Sequence, residues 1–372
     1  MKILHANSAR RWIGEAAHTY YLVRELYKKN ISVYLFVRKN WELEKKIKNE
    51  KIPFKSLYFS SKFNPLKDFR DFVEAYKIVK KFNPSIIHVH RGKEHWLFAI
   101  LKLFMKGKFK LVRTRHVVIP NRKHLLNKWL FEKITDHIIC VSKKVAEQYK
   151  NWNIQNKLSI IYSGVDTTKF NTSVEPLYRK KLGIENKDIL IGNIGRFQPI
   201  KGQIYFLMAA KEILKKYSNV YFILAGRDKG EQKKFENFIR KNNLEKHIFI
   251  LNEIKDIEKL IASLDIGVIT SLGSEGSSRI LFEYMATGKP VIATNVGGIP
   301  EIVPEIQRSF IIKPGEVDIL VSKIEILINN DKLRKKIGIE NLKIIKSNFT
   351  LEKWCERTIR VYKRILVTGE RK

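Results

Sequence analysis

Short runs of β-branched and aliphatic residues alternate along this chain with longer stretches whose apolar positions recur every three or four residues. The runs mark buried strands, the longer stretches mark amphipathic helices, and their alternation is the pattern of parallel α/β layers. In the first half the pattern predicts strands at Lys2–His5, Ser32–Val37, Ile86–His90, Lys110–Thr114, His137–Val141 and Ser159–Tyr162. Helices are expected among them at Glu15–Lys29, Pro65–Lys81, Lys93–Phe104, Leu125–Ile134 and Lys143–Lys150. The second half restarts the cycle, with strands expected at Ile189–Ile194, Val220–Ala225, Ile248–Leu251, Ile266–Thr270, Val291–Thr294 and Ser309–Ile312. Its helices are expected at Gln203–Tyr217, Gly230–Asn242, Asp256–Ser263, Arg279–Thr287, Val317–Asn329 and Asp331–Phe349, and a last helix over Leu351–Leu366. The stretch Ser163-Gly-Val-Asp166 reads as a link, with Asp166 capping a turn. The expected division is therefore a Rossmann-like domain over 1–165, with 351–372 packing back on it, and a second over 166–350. Two such domains are expected to form a cleft at the carboxyl ends of their sheets, where ligands of open α/β sheets bind.

A length of 372 residues suits two domains, and 44% hydrophobic residues allow each a core. The net charge of +35 changes the picture, because a surplus of this size concerns partners rather than fold. Nucleic acid, an anionic membrane and phosphorylated small molecules all fit it, as does a simple bias toward lysine. No nucleic-acid motif accompanies the charge, so no nucleic-acid partner is expected. The two cysteines, Cys140 and Cys355, have neither disulfide nor zinc spacing, which suits a reducing compartment. Met1-Lys-Ile-Leu-His5 begins as a strand rather than as a secretory leader. The strongest apolar stretch, Trp96 to Met105, contains Lys102 and falls well short of the roughly 20 residues a membrane span needs. From Leu101 to Lys133, however, lysines and arginines interleave with Phe, Leu and Trp129, a surface suited to anionic lipid. The expectation is a cytoplasmic protein attached peripherally to the inner face of the cytoplasmic membrane.

Three segments carry candidate chemistry. In Gly192-Asn-Ile-Gly195-Arg196-Phe-Gln-Pro-Ile-Lys201-Gly202, a strand leads through glycines into a helix. Such a turn brings backbone N–H groups and a helix N-terminus close to a phosphate, and Arg196 and Lys201 add two positive charges there. In Ser274-Glu275-Gly276-Ser277-Ser278-Arg279-Ile280-Leu-Phe-Glu283, one carboxylate stands at a helix mouth and another on the helix. Eight helical residues rise roughly 12 Å, too far for a glycosidase acid–base pair, so the two read as separate hydroxyl-binding groups. Backbone N–H groups from Ser277 to Ile280 are placed to receive phosphate. In Thr294-Asn-Val-Gly297-Gly298-Ile-Pro300-Glu301, a glycine pair turns the chain after a strand and forms another wall of that pocket.

In order and spacing, these three segments resemble the GT-B glycosyltransferases, specifically the large retaining family 4 of lipopolysaccharide-core and lipid-linked sugar transferases. The resemblance rests on Gly195-Arg196 with Lys201-Gly202, on Glu275 with Glu283, and on Gly288-Lys-Pro-Val-Ile-Ala-Thr with Gly297-Gly298-Ile-Pro-Glu301. It implies that Arg196 and Lys201 hold a donor diphosphate without metal, that Glu275 touches the donor sugar, and that Glu283 binds the ribose. Gly276, Ser277, Ser278, Arg279 and Ile280 join the donor site. Where the family often has Glu-Gly-Phe-Gly, this chain has Glu275-Gly276-Ser277-Ser278, and the two hydroxyls bear on the sugar accepted. In the first half, Trp12-Ile-Gly14-Glu15 with His18 resembles the family's glycine loop. Gly14 is then near the donor phosphate, and Glu15 and His18 near the acceptor. Arg113-Thr-Arg115-His116 resembles the site where a histidine lines the reaction centre, with Arg113 and Arg115 as readers of an anionic acceptor. No Asp-x-Asp metal motif stands near a strand end, and no cofactor or essential metal is expected. The implied activity is sugar transfer from a nucleotide sugar to a glycan or lipid-linked acceptor, in lipopolysaccharide or other envelope glycan synthesis. Alternatives are a sugar-nucleotide epimerase of the same fold, a basic nucleic-acid-binding protein, or a noncatalytic nucleotide-sugar binder.

Overall fold

The computed structural model describes residues 1–121, 123–273 and 275–369. Ser274, which opens the second of the three segments, and residues 370–372 of the first-domain assignment lie outside them. The chain folds into two compact units that divide at Gly164/Val165 and at Thr350/Leu351.

The first unit is a parallel sheet of β1 (Lys2–Asn7), β2 (Ser32–Arg38), β3 (Phe54–Leu57), β4 (Ile86–Val89), β5 (Lys110–Arg115), β6 (His137–Cys140) and β7 (Leu158–Ile160). Its order, β3-β2-β1-β4-β5-β6-β7, reverses between β1 and β4. Successive side chains of a strand point to opposite faces, and here both faces are covered. Leu4, Ala6, Ile87 and Val89 pack into one core with Phe98, Leu101 and Leu130. Ile3, Ile86 and Val112 pack into the other with Leu22, Leu26 and the terminal helix Leu351–Gly369, which contributes Trp354, Cys355 and Tyr362.

The second unit repeats the scheme with β8 (Ile189–Ile194), β9 (Val220–Ala225), β10 (Ile248–Leu251), β11 (Ile266–Ile269), β12 (Val291–Thr294) and β13 (Ile311–Ile312). All pairs are parallel, in the order β10-β9-β8-β11-β12-β13, so the reversal falls between β8 and β11. Its two crossing strands of chain meet where the Val165 N–H donates to the Phe349 carbonyl at 2.8 Å.

Three local differences from the sequence pattern have physical causes. Phe54–Leu57 forms an edge strand with Lys55 and Ser56 in its middle, too short and polar to show a period. Glu42–Ile47 is a six-residue helix, below the length at which periodicity shows. The helix expected over Leu125–Ile134 is α-helical only to Lys128 and π-helical from Trp129 to Ile134. Thr135 donates both its N–H (3.0 Å) and its hydroxyl (2.7 Å) to the Leu130 carbonyl five residues back, which widens the last turn.

Gly202 governs the entry to the helix Gln203–Leu214. It has φ +62°, and a Cβ there would lie 2.1 Å from the Thr270 carbonyl oxygen, so the loop after β8 rests directly on the end of β11. Gly183 has a similar φ of +68° with nothing within 4 Å of its Cβ position. In urea unfolding, Gly183→Ala is expected to cost only the left-handed strain, about 1–2 kcal/mol. Gly202→Ala is expected to cost clearly more. Equal losses would contradict the close approach.

Candidate functional site

Both units place their polar side chains at the carboxyl ends of the strands that flank the reversal of strand order. Loops on either side of such a reversal diverge, leaving a crevice where a ligand meets the strand ends.

In the second unit these loops follow β8 and β11, and hydrogen bonds tie them together. Asn193 Nδ2 donates to Thr270 Oγ1 at 3.0 Å, and that hydroxyl donates to the Lys201 carbonyl at 3.1 Å. The Leu272 N–H donates to the Ile200 carbonyl at 2.9 Å. Gln203 Nε2 donates to the Arg196 carbonyl at 2.9 Å, and the buried Phe197 anchors the loop against Phe235. The Arg196 guanidinium is left exposed beside this anchor. Lys201 Nζ donates to Glu275 Oε1, which also accepts from Ser271 Oγ at 2.7 Å. The structure thus brings together two residues 74 positions apart, and Glu275 is only 7% exposed. The glycine pair supports it from below. Gly297 has φ +56°, a Cβ there would lie 1.4 Å from the Glu275 carbonyl oxygen, and that oxygen accepts from the Gly298 N–H at 3.0 Å.

After Glu275 the chain reaches the helix Arg279–Ala286, with Ser278 at its N-cap. Among the described residues neither Ser277 Oγ nor Ser278 Oγ has a hydrogen-bond partner, although both atoms are buried. These two hydroxyls stand at the N-terminal end of the helix, where the helix dipole is positive, and form a polar socket. Glu283 lies one face further along, 8% exposed, and accepts from Arg279 at 2.8 Å. Burial raises its pKa, and Arg279 opposes that rise.

In the first unit the corresponding ends belong to β1, β4 and β5, and they carry histidines. His5 pairs with His88 in the register of β1 with β4, His90 follows β4, and His116 follows β5. His5 Nδ1 lies 3.3 Å from His90 Nε2, and His90 Nδ1 lies 3.2 Å from His116 Nε2. His88 hydrogen bonds Tyr362 Oη at 2.5 Å and Thr114 Oγ1 at 2.6 Å, so the terminal helix completes the cluster. His18 bonds Ser163 Oγ at 3.1 Å and stands edge-on to His116, its ring centre 4.6 Å away. Tyr362 Oη also lies 3.5 Å from His5 Nε2. Each neutral imidazole has one N–H and one lone pair, so the chain Tyr362–His5–His90–His116 is self-consistent only when His5 and His90 each donate once and accept once. Two triads, His5-His88-His90 and His18-His90-His116, also hold ligand atoms within 4.8 Å of one another and could hold a metal ion. Sequence reading found His18 and His116 and missed His5, His88 and His90. The signal was His88-Val89-His90, alternate residues closing an otherwise apolar strand.

The other first-unit candidates separate. Gly14 opens the helix Gly14–Lys28 and faces open space. Glu15 takes an ion pair from Arg91 at 2.8 Å, and burial raises its pKa against that partner. The two proposed acceptor readers, Arg113 and Arg115, are placed differently. Arg113 is 5% exposed, and burial brings its pKa down to about 10, so it sits inside the sheet. Arg115 donates to Gln148 Oε1 at 3.1 Å and to the Ile119 carbonyl, and is occupied in holding the segment after β5.

Burial holds His5 down at about 3 and His88, His90 and His116 well below the ordinary imidazole value, helped by mutual repulsion in the last three. Unfolded imidazoles take up protons below about pH 6.5 while the folded ones do not, so unfolding binds protons there. Stability is expected to be full above pH 6.5 and to fall as pH drops toward the folded values, by at most about 1.4 kcal/mol per pH unit for each imidazole. Calorimetry from pH 7.5 to 5 tests this, and a flat melting temperature would contradict it.

Comparison with known proteins agrees with this architecture. The family described as glycosyltransferase family 4 matches residues 13–169, and glycosyl transferases group 1 matches residues 174–343. An uncharacterised glycosyltransferase of Methanocaldococcus jannaschii is 32% identical over 318 residues, covering 81% of this chain and 83% of the relative. An Escherichia coli protein named UDP-Gal:alpha-D-GlcNAc-diphosphoundecaprenol alpha-1,3-galactosyltransferase is 28% identical, covering 72% of each chain. Among solved structures, a glycosyltransferase from Rickettsia africae superposes with TM-score 0.87 at 22% identity, covering 98% of each chain. Anabaena HepE in complex with UDP superposes with TM-score 0.85 at 21% identity, covering 98% of this chain and all of the other. With paired Rossmann-like units of the GT-B kind and these matches along its length, the chain belongs to the glycosyltransferases.

Proposed function

We infer that this enzyme moves a sugar, with retention at the anomeric carbon, from a nucleoside-diphosphate sugar held by the second unit to a lipid-linked or glycan acceptor held by the first. The observation that carries this reading is the pairing of Lys201 with Glu275 beside the unpartnered hydroxyls of Ser277 and Ser278. Arg196, Lys201 and the start of the helix Arg279–Ala286 neutralise the departing diphosphate, whose charge grows as the bond breaks. Glu275 exchanges its contact with Lys201 for hydroxyls of the donor sugar, and Glu283 takes the ribose. The anomeric carbon–oxygen bond breaks toward the diphosphate while the acceptor oxygen bonds the same face. The acceptor proton passes to the departing phosphate oxygen. Neutral His116, hydrogen bonded to His90, is the first unit's proposed contributor to catalysis, and no metal takes part.

The E. coli relative's name gives an acceptor built on diphosphoundecaprenol, and other relatives are named for capsular polysaccharide and spore coat. Envelope glycan synthesis, lipopolysaccharide included, is the setting this supports. Among the described residues no helix is long and apolar enough to cross a membrane. The helices Pro65–Phe82 and Gly92–Phe104 pack together, Phe72 edge-on to Phe104 at 5.8 Å, and expose Leu66, Phe69, Leu103 and Phe104. Leu125 and Leu126 are 84% and 63% exposed, with Lys123 and Lys128 beside them. Apolar side chains rimmed by lysines suit peripheral attachment to anionic lipid at the cytoplasmic face.

Lys201→Ala and Glu275→Ala are each expected to lower turnover at least about 100-fold, the scale of losing one preorganised electrostatic contact. Chelation by EDTA is expected to leave wild-type turnover unchanged. Near-normal turnover in either variant would sink the assignment, and a loss in EDTA restored by zinc would give a histidine triad a metal. Leu125→Glu/Leu126→Glu is expected to reduce salt-sensitive sedimentation with phosphatidylglycerol vesicles. Equal binding to neutral and anionic vesicles by the wild type would contradict the membrane reading.

A further inference from the structure

The first unit has another polar cavity, of about 570 Å³, at the carboxyl ends of β2 and β3, toward the sheet edge from the histidines. Arg38, Lys39 and Trp41 line it after β2, and Tyr58, Lys62 and Lys67 line it after β3. Its lining has four cations and no carboxylate.

A basic protein has lysines everywhere, so charge alone says little. This cavity is distinguished by how it is built. Three nearby carboxylates hold the loops that shape it. Asp71 accepts the N–H groups of Tyr58 (2.8 Å) and Phe59 (2.7 Å), and so holds Phe59 at a φ of +43° with its ring buried. Asp68 accepts the Asn64 N–H at 3.2 Å and binds Lys93 at 2.8 Å. Glu44 accepts the Asn40 N–H and the Ser56 hydroxyl. The four lining cations make no ion pair among the described residues. Instead Arg38 lies over Trp41 at 5.7 Å, and Lys39 and Lys67 approach Tyr58 at 5.5 and 5.7 Å. Burial lowers the pKa of half-buried Arg38, and repulsion from Arg10 and Arg91 adds to this, while Asp71 and Glu94 oppose it.

We propose that this cavity binds a phosphate or diphosphate ester carried by the acceptor. The proposal rests on the reading of the first unit as the acceptor half. A phosphate ester offers up to two charges and three acceptor oxygens, and so satisfies cations arriving from two loops better than a carboxylate does. The donor's own diphosphate has its basic loop in the second unit, so the cavity serves a different phosphate. A bilayer headgroup presents the same chemistry, and the test separates the two sources.

The probe is inorganic pyrophosphate, titrated calorimetrically into Arg196→Ala/Lys201→Ala protein, which removes the donor loop's cations. Pyrophosphate is expected to bind still, and Arg38→Ala/Lys39→Ala added to that background is expected to weaken it at least tenfold. Lys39→Ala alone, at an exposed position, checks that the effect does not come from misfolding and is expected to lose part of the affinity. Pyrophosphate binding that vanishes with Arg196 and Lys201 alone, or survives loss of Arg38 and Lys39, would overturn the proposal. Sedimentation of Arg38→Ala/Lys39→Ala protein with phosphatidylglycerol vesicles is expected to match wild type. Vesicle binding lost in step with pyrophosphate would reassign the cavity to the bilayer and overturn the acceptor assignment. Donor binding by the wild type is read separately, so a failure of the transferase reading shows in that measurement and not in these.

Discussion

Each unit of this enzyme depends on one constraint: a parallel sheet covered on both faces has nowhere to put polar side chains except at its strand ends. The central strands are apolar for most of their length, and most of the chemistry begins near where they stop. The reversal of strand order then decides which ends matter, because only there do neighbouring loops diverge enough to admit a ligand. Asn193 and Thr294 in the second unit, and His88 and Thr114 in the first, are last or next to last in their strands, Thr270 directly follows β11, and His5 lies two residues before the end of β1. Their hydrogen bonds join one strand end to the next, so the crevices are fixed by the same sheets that form the cores.

The two crevices solve opposite electrostatic problems. In the second unit Glu275 and Glu283 are buried with a cation each, Lys201 and Arg279. A buried carboxylate keeps its charge at tolerable cost only when so paired. The arrangement keeps charge in the pocket, ready for a ligand that brings its own. In the first unit burial holds the histidines neutral, and they satisfy one another as a chain of donors and acceptors. Tyr362 from the terminal helix closes this chain, which gives that helix a part in shaping the site as well as the core.

Much of this was legible in the amino-acid order. Ile189–Ile194, Val220–Ala225, Ile248–Leu251 and Val291–Thr294 stand where the apolar runs put them, because a strand buried on both faces is a continuous apolar run. The donor-side residues were legible because glycines mark close backbone approaches, and Gly202 and Gly297 each rest on a carbonyl of a neighbouring loop. What sequence could not show was contact across distance. Lys201 and Glu275 read as members of one pocket, but that they touch directly shows only in the structure. The histidine cluster was hidden for the same reason, since His5, His88 and His116 lie far apart in the chain and adjacent in strand order. Arg113 reads as part of the strand Lys110–Thr114 and as a reader of an anionic acceptor, but the depth of its side chain, buried in the structure, was not legible. Edge strand Phe54–Leu57 was invisible because an edge needs little apolar patterning.

The central claim is that the crevice between the loops after β8 and β11 receives a nucleoside diphosphate. The most direct measurement is a crystal structure of the protein with the nucleoside diphosphate that binds it. The account predicts diphosphate oxygens within hydrogen-bond distance of Arg196, Lys201 and the N–H groups at the start of the helix Arg279–Ala286, with the ribose on Glu283. A diphosphate seated away from these groups, or a ribose that does not meet Glu283, would contradict it.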